Sequence, residues 1–135
     1  MSEENLRVVR EAIEAFDRKD FKAMAAATHD DFEFVSVFRE VDRDEATYRG
    51  RNAWETYSAV MEETWEEWRL EDREYVEGEG DGVAVAVTLV GRGRHSGAVV
   101  ERRVGIAYRI RDGKLWRARS YFDPDDALEA VGLRK

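Results

Sequence analysis

Hydrophobic residues recur at helical spacing in three segments of the chain, which predicts three helices. The first helix is expected from about 3 to 18 and the second over 21–27. The third is expected over 52–68, where the apolar residues form one broad stripe: Trp54, Tyr57, Met61, Trp65 and Trp68. Burial in the core is the simplest interpretation of this stripe, and a pocket wall is the alternative.

Alternating residues in the rest of the chain predict a β-sheet. In the segment 31–38, the residues Phe32, Phe34, Ser36 and Phe38 fall on one face of a strand. Beyond residue 68, turn signals separate four further strands, expected over 69–77, 83–92, 98–110 and 114–122. The charged segment 39–51 is predicted to be a loop.

The C-terminal segment predicts one more helix. Asp123 is the expected N-cap, Pro124 suits the first helical position, and Gly132 is expected to end the helix. The order of all these elements indicates an α+β fold. Its helices are expected on one face of a mostly antiparallel sheet.

Length and charge restrict the classes of protein that the chain can be. The 135 residues contain no linker, so one domain over 1–135 is expected. The 30 acidic and 22 basic residues give a formal charge of −8, which disfavours nucleic acid and anionic membranes as partners. There is no cysteine, no apolar run of membrane-spanning length and no signal-peptide pattern, so a cytoplasmic location is the default expectation.

Several short runs, in a consistent order and spacing, carry a family resemblance. They are Ala15-Phe16-Asp17-Arg18-Lys19-Asp20-Phe21, Tyr48-Arg49-Gly50-Arg51, Gly93-Arg94-His95-Ser96-Gly97, Tyr108-Arg109-Ile110-Arg111-Asp112-Gly113-Lys114 and Ser120-Tyr121-Phe122-Asp123 with the segment 127–133. In these runs the chain resembles the SnoaL-like branch of the nuclear transport factor 2-like superfamily. The resemblance implies a cone-shaped, cystatin-like α+β barrel, in which a curved sheet and N-terminal helices enclose a pocket, often in a dimer.

The resemblance does not imply one chemistry, because the family includes ketosteroid isomerases, polyketide cyclases and epoxide hydrolases. An isomerase of this family uses a carboxylate base and an oxyanion hole. Carried over by motif, these groups fall on Ser36, Ala12 and Ile106. The acid of a limonene-epoxide-hydrolase-like site falls on Ser120, and its partners fall on or near Val104 and Ile106. Both mechanisms are therefore disfavoured, and whether the chain is an enzyme stays open.

The same comparisons and the alternation of the strands define a predicted ligand pocket. Its side chains are expected to be mostly apolar, with hydroxyls in place of acids. The predicted pocket residues are Phe16, Phe34, Ser36, Phe38, Trp54, Tyr57, Met61, Val104, Ile106, Tyr108, Ala118, Ser120 and Phe122.

A polyketide cyclase would require mainly an apolar cavity and one acid or base. Asp123 and His95 are the candidates for that role, although a helix cap and an exposed loop residue are the simpler interpretations. His29 is expected near the end of the second helix, as a partner of the helix dipole. The two histidines have no carboxylate at ligand spacing, so no metal site and no cofactor are expected.

Two functional hypotheses follow. The first is that the chain binds a small planar hydrophobic molecule in its pocket, or acts on such a molecule as a cofactor-independent enzyme. The second is a non-catalytic dimerisation module whose interior is filled by its own aromatic residues. A homodimer through the outer face of the sheet is expected, because Arg103, Arg109, Arg117, Arg119 and Tyr121 share one side of neighbouring strands.

Overall fold

The computed structural model describes residues 2–36 and 46–133. They form a six-stranded, curved, mostly antiparallel sheet with four helices, which confirms the predicted α+β class. The elements are α1 (Ser2–Asp17), α2 (Phe21–Ala26), β1 (Thr28–Ser36), β2 (Ala46–Arg49), α3 (Ala53–Thr64), β3 (Trp65–Glu77), β4 (Gly82–Gly93), β5 (Val99–Arg111), β6 (Lys114–Tyr121) and α4 (Pro124–Ala130).

The strands lie in the order β2-β1-β6-β5-β4-β3, and only β1 and β6 pair in parallel. Val85 lies opposite Ile106, and Ile106 lies opposite Ser120. Because side chains alternate along a strand, these residues share the concave face with Phe34 and Ala118. The main hydrophobic core fills the space between this face and helices α1, α2 and α3.

The third helix is shorter than predicted, and its last two aromatic positions belong to a strand. α3 ends at Thr64, and Trp65 has extended backbone angles (φ −113°, ψ 133°). Trp65 then pairs with Gly93, and Trp68 with Gly91, along β4. A Cβ atom at Gly91 would lie 2.8 Å from the Trp65 ring, so the glycine makes room for the indole. Pairing with β4 therefore overrides the helical spacing of these tryptophans.

The predicted loop 39–51 was wrong in part. Residues 46–49 form β2, where Tyr48 pairs with Phe34 of β1. Hydrogen bonds with β1 therefore make residues 46–49 a strand, which the charged composition did not indicate. The first strand also begins earlier than predicted, at Thr28. Phe38, a predicted pocket residue, lies outside the described residues.

Helix α4 packs on the convex face, not on the face that holds the other helices. Ala84 and Ala107, which alternate with core residues of β4 and β5, form a second cluster with Ala127 and Val131. A Cβ atom at Gly105 would lie 2.8 Å from both the Ala127 Cβ and the Pro124 Cα. Small side chains on this face therefore let the helix approach the sheet closely, and the expectation of helices on one face was wrong for α4.

The arginines of the convex face have partners within the chain. Arg109 donates from Nη2 to the carbonyl oxygen of Ala130 at 2.6 Å and from Nη1 to Asp81 Oδ1 at 2.8 Å, so it holds the end of α4. Arg117 donates to the carbonyl oxygen of Asp31 at 2.6 Å. Arg109 and Arg117 therefore have hydrogen-bond partners within one copy of the chain.

Asp123 is the N-cap of α4, because its Oδ1 accepts the backbone N–H of Asp125 at 2.9 Å and Pro124 follows at the first position. We expect Asp123→Ala to lower the free energy of unfolding by about 0.5–2 kcal/mol through loss of this bond. Urea denaturation measures the change, and Asp123→Asn, which keeps a capping oxygen, serves as the matched control. A stable variant that has lost ligand binding would instead assign Asp123 to the site.

Within the part of the chain that the structure describes, no helix is both long and apolar enough to cross a membrane.

Candidate functional site

Aromatic rings pack together between α1, α3 and the concave face of the sheet. Trp54 lies at the centre, and its ring centroid is 4.7 Å from that of Phe34 and 5.2 Å from that of Phe32. Phe16 and Tyr57 lie within about 6 Å of the same indole (5.9 and 6.2 Å). Aromatic contacts at these distances stabilise the core beyond simple area burial. The site is therefore built into the main core.

A small cavity of about 30 Å³ lies among these rings. That volume has room for buried water but is far below the roughly 300–1,000 Å³ of a typical ligand pocket. Six of the predicted pocket residues line it: Phe16, Phe34, Trp54, Tyr57, Ile106 and Tyr108. The structure thus brings together side chains from α1, β1, α3 and β5, as the pocket hypothesis requires, but in a nearly closed interior.

The remaining predicted residues that the structure describes do not line this cavity. Five of them are buried in the surrounding core: Ser36, Met61, Val104, Ala118 and Ser120. Phe122 is 50% exposed, and its ring lies under the guanidinium of Arg102, 4.8 Å from Cζ. Phe122 therefore belongs to the surface beyond the end of β6.

Other residues complete the cavity wall: Ala12, Ile13, Met24, Leu70 and Leu115. Ile13 lies one turn before Phe16 in the first helix, so its inward direction could have been read from the helical spacing of these two residues. Leu70 and Leu115 lie on β3 and β6. Their places depend on which strands face each other, which the sequence pattern does not contain.

The positions that carry acids in catalytic relatives are buried here and uncharged. Ser36, Ile106 and Ser120 are each 5% exposed or less, as is Ala12, where the oxyanion-hole partner of an isomerase would fall. The buried polar side chains of residues 2–36 and 46–133, apart from tyrosine and tryptophan, are hydroxyls: Thr28, Ser36, Ser58 and Ser120. The described interior therefore offers hydrogen bonds but no carboxylate to act as a base.

Two tyrosines line the cavity, and both are protonated at neutral pH. Burial raises the pKa of Tyr57 well above its usual value, although a hydrogen bond with Ser36 opposes part of the rise. Burial likewise raises the pKa of Tyr108. Both phenols are neutral near pH 7 and poor bases, so they suit orientation of a ligand better than proton abstraction.

These raised pKa values predict a loss of stability in alkaline solution. The unfolded chain loses tyrosine protons above about pH 10, whereas the folded chain retains them at Tyr57 and Tyr108. Unfolding should therefore become easier from about pH 10 upward, by about 1.4 kcal/mol per pH unit for each tyrosine. Urea denaturation between pH 9 and 11 tests this. Tyr57→Phe should lessen the slope, and an unchanged slope would contradict the assignment.

Trp54, a residue of the cavity wall, has a buried donor without an acceptor among the described residues. The indole N–H of Trp54 is buried and makes no hydrogen bond with any described residue. Trp65 also has an unpaired, buried indole N–H, but it does not line the cavity. An unpaired buried donor costs free energy, so both indoles lower the stability of the core.

An open cleft of about 800 Å³ lies beside the cavity, between the end of α1, the end of α3 and β3. The cavity and the cleft share Phe16 and Leu70 as wall residues. Ion pairs cross this region: Lys19 with Glu62, and Arg73 Nη2 with Asp17 Oδ1 at 2.6 Å. Phe16 and Leu70 therefore form a common wall between the cavity and the cleft.

Neither histidine belongs to this site. His29 lies in β1, and its Nδ1 accepts the backbone N–H of Asp31 at 3.0 Å. It was predicted as a partner of the helix dipole near the end of α2, but β1 begins at Thr28 and therefore includes it. His95 is exposed in the turn between β4 and β5. Within the described residues, no three His, Asp or Glu side chains cluster as a metal site would require.

Comparisons with known proteins agree with this architecture. The family model of the SnoaL-like domain matches residues 9–118. A nuclear transport factor 2-like protein from Burkholderia xenovorans is 26% identical, with a TM-score of 0.78 and 97% of each chain covered. TerC, co-crystallised with polyporic acid, is 22% identical, with a TM-score of 0.73 and 95% of this chain and 97% of that chain covered. A candidate polyketide cyclase from Xanthomonas campestris is 19% identical, with a TM-score of 0.72 and coverages of 97% and 98%. No curated protein matches the chain.

Proposed function

This chain belongs to the SnoaL-like domain family, and from that premise we propose that it binds a small, planar, mostly apolar molecule inside the sheet. The observation that carries the proposal is the shared wall of Phe16 and Leu70 between an aromatic cavity and an open cleft. Rotation of one ring would give a ligand access to apolar surface. Burial of that surface is worth roughly 25 cal/mol per Å².

Binding, and not acid–base catalysis, is the proposal because the described interior contains no carboxylate. Ser36 and Ser120 stand at the acid positions of catalytic relatives, and a hydroxyl is a poor base at neutral pH. TerC, a protein of the same fold, was co-crystallised with polyporic acid, which supports small-molecule binding as the proposal for this chain. The Phe16 ring, 5.6 Å from Trp68 and 6.1 Å from Tyr57, is the proposed gate.

Tryptophan fluorescence tests the proposal. Titration with neutral two-ring and three-ring aromatic compounds should change the emission saturably, because Trp54 lies in the cavity wall. Trp54→Phe should remove most of the change. Trp116→Phe is the matched control, since Trp116 lies outside this cavity, between the guanidinium groups of Arg111 and Arg117.

Enlargement of the gate gives an independent readout. Phe16→Ala should speed association and strengthen binding, because the cavity then opens to the cleft. Absence of saturable binding in both the wild type and Phe16→Ala would overturn the proposal.

The small size of the cavity favours a second candidate, a non-catalytic dimerisation module. An interior with about 30 Å³ of free space is filled mainly by its own aromatic side chains. The dimer would use the part of the convex face that α4 does not cover, around Val90 and Thr88 of β4. Equilibrium sedimentation tests it: Val90→Glu should weaken a dimer, whereas Lys114→Glu, at the exposed first residue of β6, should not. A monomer at high micromolar concentration would exclude this candidate.

A further inference from the structure

We propose that a surface groove between β1, β6 and the end of β5, separate from the interior cavity, binds a small zwitterion with one carboxylate and one ammonium group. The groove has a volume of about 510 Å³. Charged side chains of both signs line it: Arg49, Arg111, Arg117, Asp30, Asp31 and Glu33.

Irregular strand pairing forms the groove around Trp116. Four residues of β1, 29–32, lie against the single residue Trp116 of β6. The ladder between β5 and β6 also shifts its register at Trp116. Irregularities of this kind redirect a side chain and are frequent beside functional sites. Trp116 is therefore half-buried in the groove wall, with strand irregularities on both sides.

Arg111 supplies the free cation of the groove. Its Cζ lies 3.5 Å from the centroid of the Trp116 ring, so a cation–π contact holds the guanidinium in place. The guanidinium makes no hydrogen bond or ion pair with any described residue. A guanidinium held in this way can bind a carboxylate through two parallel N–H donors.

Asp31 supplies the free anion. Its backbone N–H and carbonyl group have partners, but its exposed carboxylate has none among the described residues. The other two acids of the groove already lie close to arginines: Glu33 is 3.7 Å from Arg49 Nε, and Asp30 is 3.8 Å from Arg51 Nε. Asp31 is therefore the acid of the groove that is left for an ammonium group.

The presence of both free charges selects a zwitterion. A simple anion would share the groove with three carboxylates, and a simple cation would share it with three guanidinium groups. Trp116 and Arg117 lie between Arg111 and Asp31, because Arg117 Cζ is 4.1 Å from the Trp116 ring and its Nη1 donates to the Asp31 carbonyl oxygen at 2.6 Å. The two charges of the ligand therefore need a spacer, such as one aromatic ring, between them.

Three probes of similar shape test the proposal. 4-(Aminomethyl)benzoate carries both charges, 4-methylbenzoate lacks the ammonium group and 4-methylbenzylamine lacks the carboxylate. In protein labelled with ¹⁵N-tryptophan, the Trp116 indole signal, assigned with Trp116→Phe, should move saturably with the first probe. Each probe of single charge should bind about tenfold more weakly, because it loses one charge-assisted hydrogen bond.

Variants identify the two charged contacts. Arg111→Gln and Asp31→Asn keep a polar side chain but remove its charge, so each should weaken binding of 4-(aminomethyl)benzoate about tenfold. Arg92→Gln, at an exposed arginine of β4 outside the groove, is the matched control and should leave the affinity unchanged. All three residues are exposed, and the other indole signals report whether each variant folds.

Three results would overturn the proposal. Equal affinity for 4-(aminomethyl)benzoate and 4-methylbenzoate would mean that Asp31 contributes nothing. Full affinity in Arg111→Gln would remove the carboxylate contact, and absence of saturable movement of the Trp116 signal would remove the site. None of these results bears on the interior cavity, which shares no wall residue with the groove.

Discussion

Phe34→Ala is expected to lower the free energy of unfolding by about 3–5 kcal/mol, the usual cost of truncating a buried aromatic ring. Phe34 is 1% exposed, and its ring centroid lies 4.7 Å from Trp54 and 4.9 Å from Tyr57. The loss includes both the apolar burial and the void left among rigid neighbours. Since small domains have about 5–15 kcal/mol of stability in total, the variant should be marginal but measurable by urea denaturation.

The same variant should acquire a binding site for a small aromatic molecule. Phe34 lines the existing cavity, so removal of its ring enlarges that space from about 30 Å³. Benzene should then raise the melting temperature of Phe34→Ala and leave that of the wild type nearly unchanged. Phe122→Ala, which truncates a half-exposed phenylalanine, is the matched control and should show neither effect. If Phe34→Ala lowered the free energy of unfolding by less than about 1 kcal/mol, the interior would not be packed as described.

Gly105→Leu is expected to release α4 from the sheet and lower the free energy of unfolding by about 3 kcal/mol. A Cβ atom at Gly105 would lie 2.8 Å from the Pro124 Cα and 2.8 Å from the Ala127 Cβ. The first contact is with backbone, so no side-chain rotation relieves it. Hydrogen exchange of the amides at 124–131 should rise, because that segment loses its packing surface.

Two further variants make the result specific to the helix. Ala86→Leu adds bulk on the same convex face, at the residue paired with Gly105, but outside the cluster beneath α4. Ala86→Leu should therefore lower the free energy of unfolding much less than Gly105→Leu. Ala127→Gly combined with Gly105→Leu should recover only part of the loss, because the contact with Pro124 remains. A wild-type melting temperature for Gly105→Leu would show that α4 does not pack as closely as described.

The helical and alternating patterns located most elements, and the failures have physical causes. Trp65 and Trp68 continue the spacing of Trp54, Tyr57 and Met61, so the pattern extended α3 by one turn. Tryptophan also suits a strand, and the hydrogen bonds of β3 to β4 decided between the two. Periodicity records which residues are buried, but it does not record which neighbour buries them.

For the candidate site, the sequence identified the residue types but not the free space between them. Six of the predicted residues line one cavity. They were predicted correctly because helical spacing and strand alternation determine which side chains share a face of an element. Phe122 was placed inside by the same rule, yet it lies past the end of β6 at Tyr121, where strand alternation no longer applies.

The sequence by itself determined the α+β class, the aromatic character of the interior and the absence of acids at Ser36, Ile106 and Ser120. Tertiary structure alone decided that the cavity holds about 30 Å³, that α4 lies on the convex face and that the Trp54 N–H has no acceptor among the described residues. The reason is that these properties depend on distances between residues far apart in the chain. The volume of a cavity and the absence of a hydrogen bond both depend on the positions of all the surrounding residues.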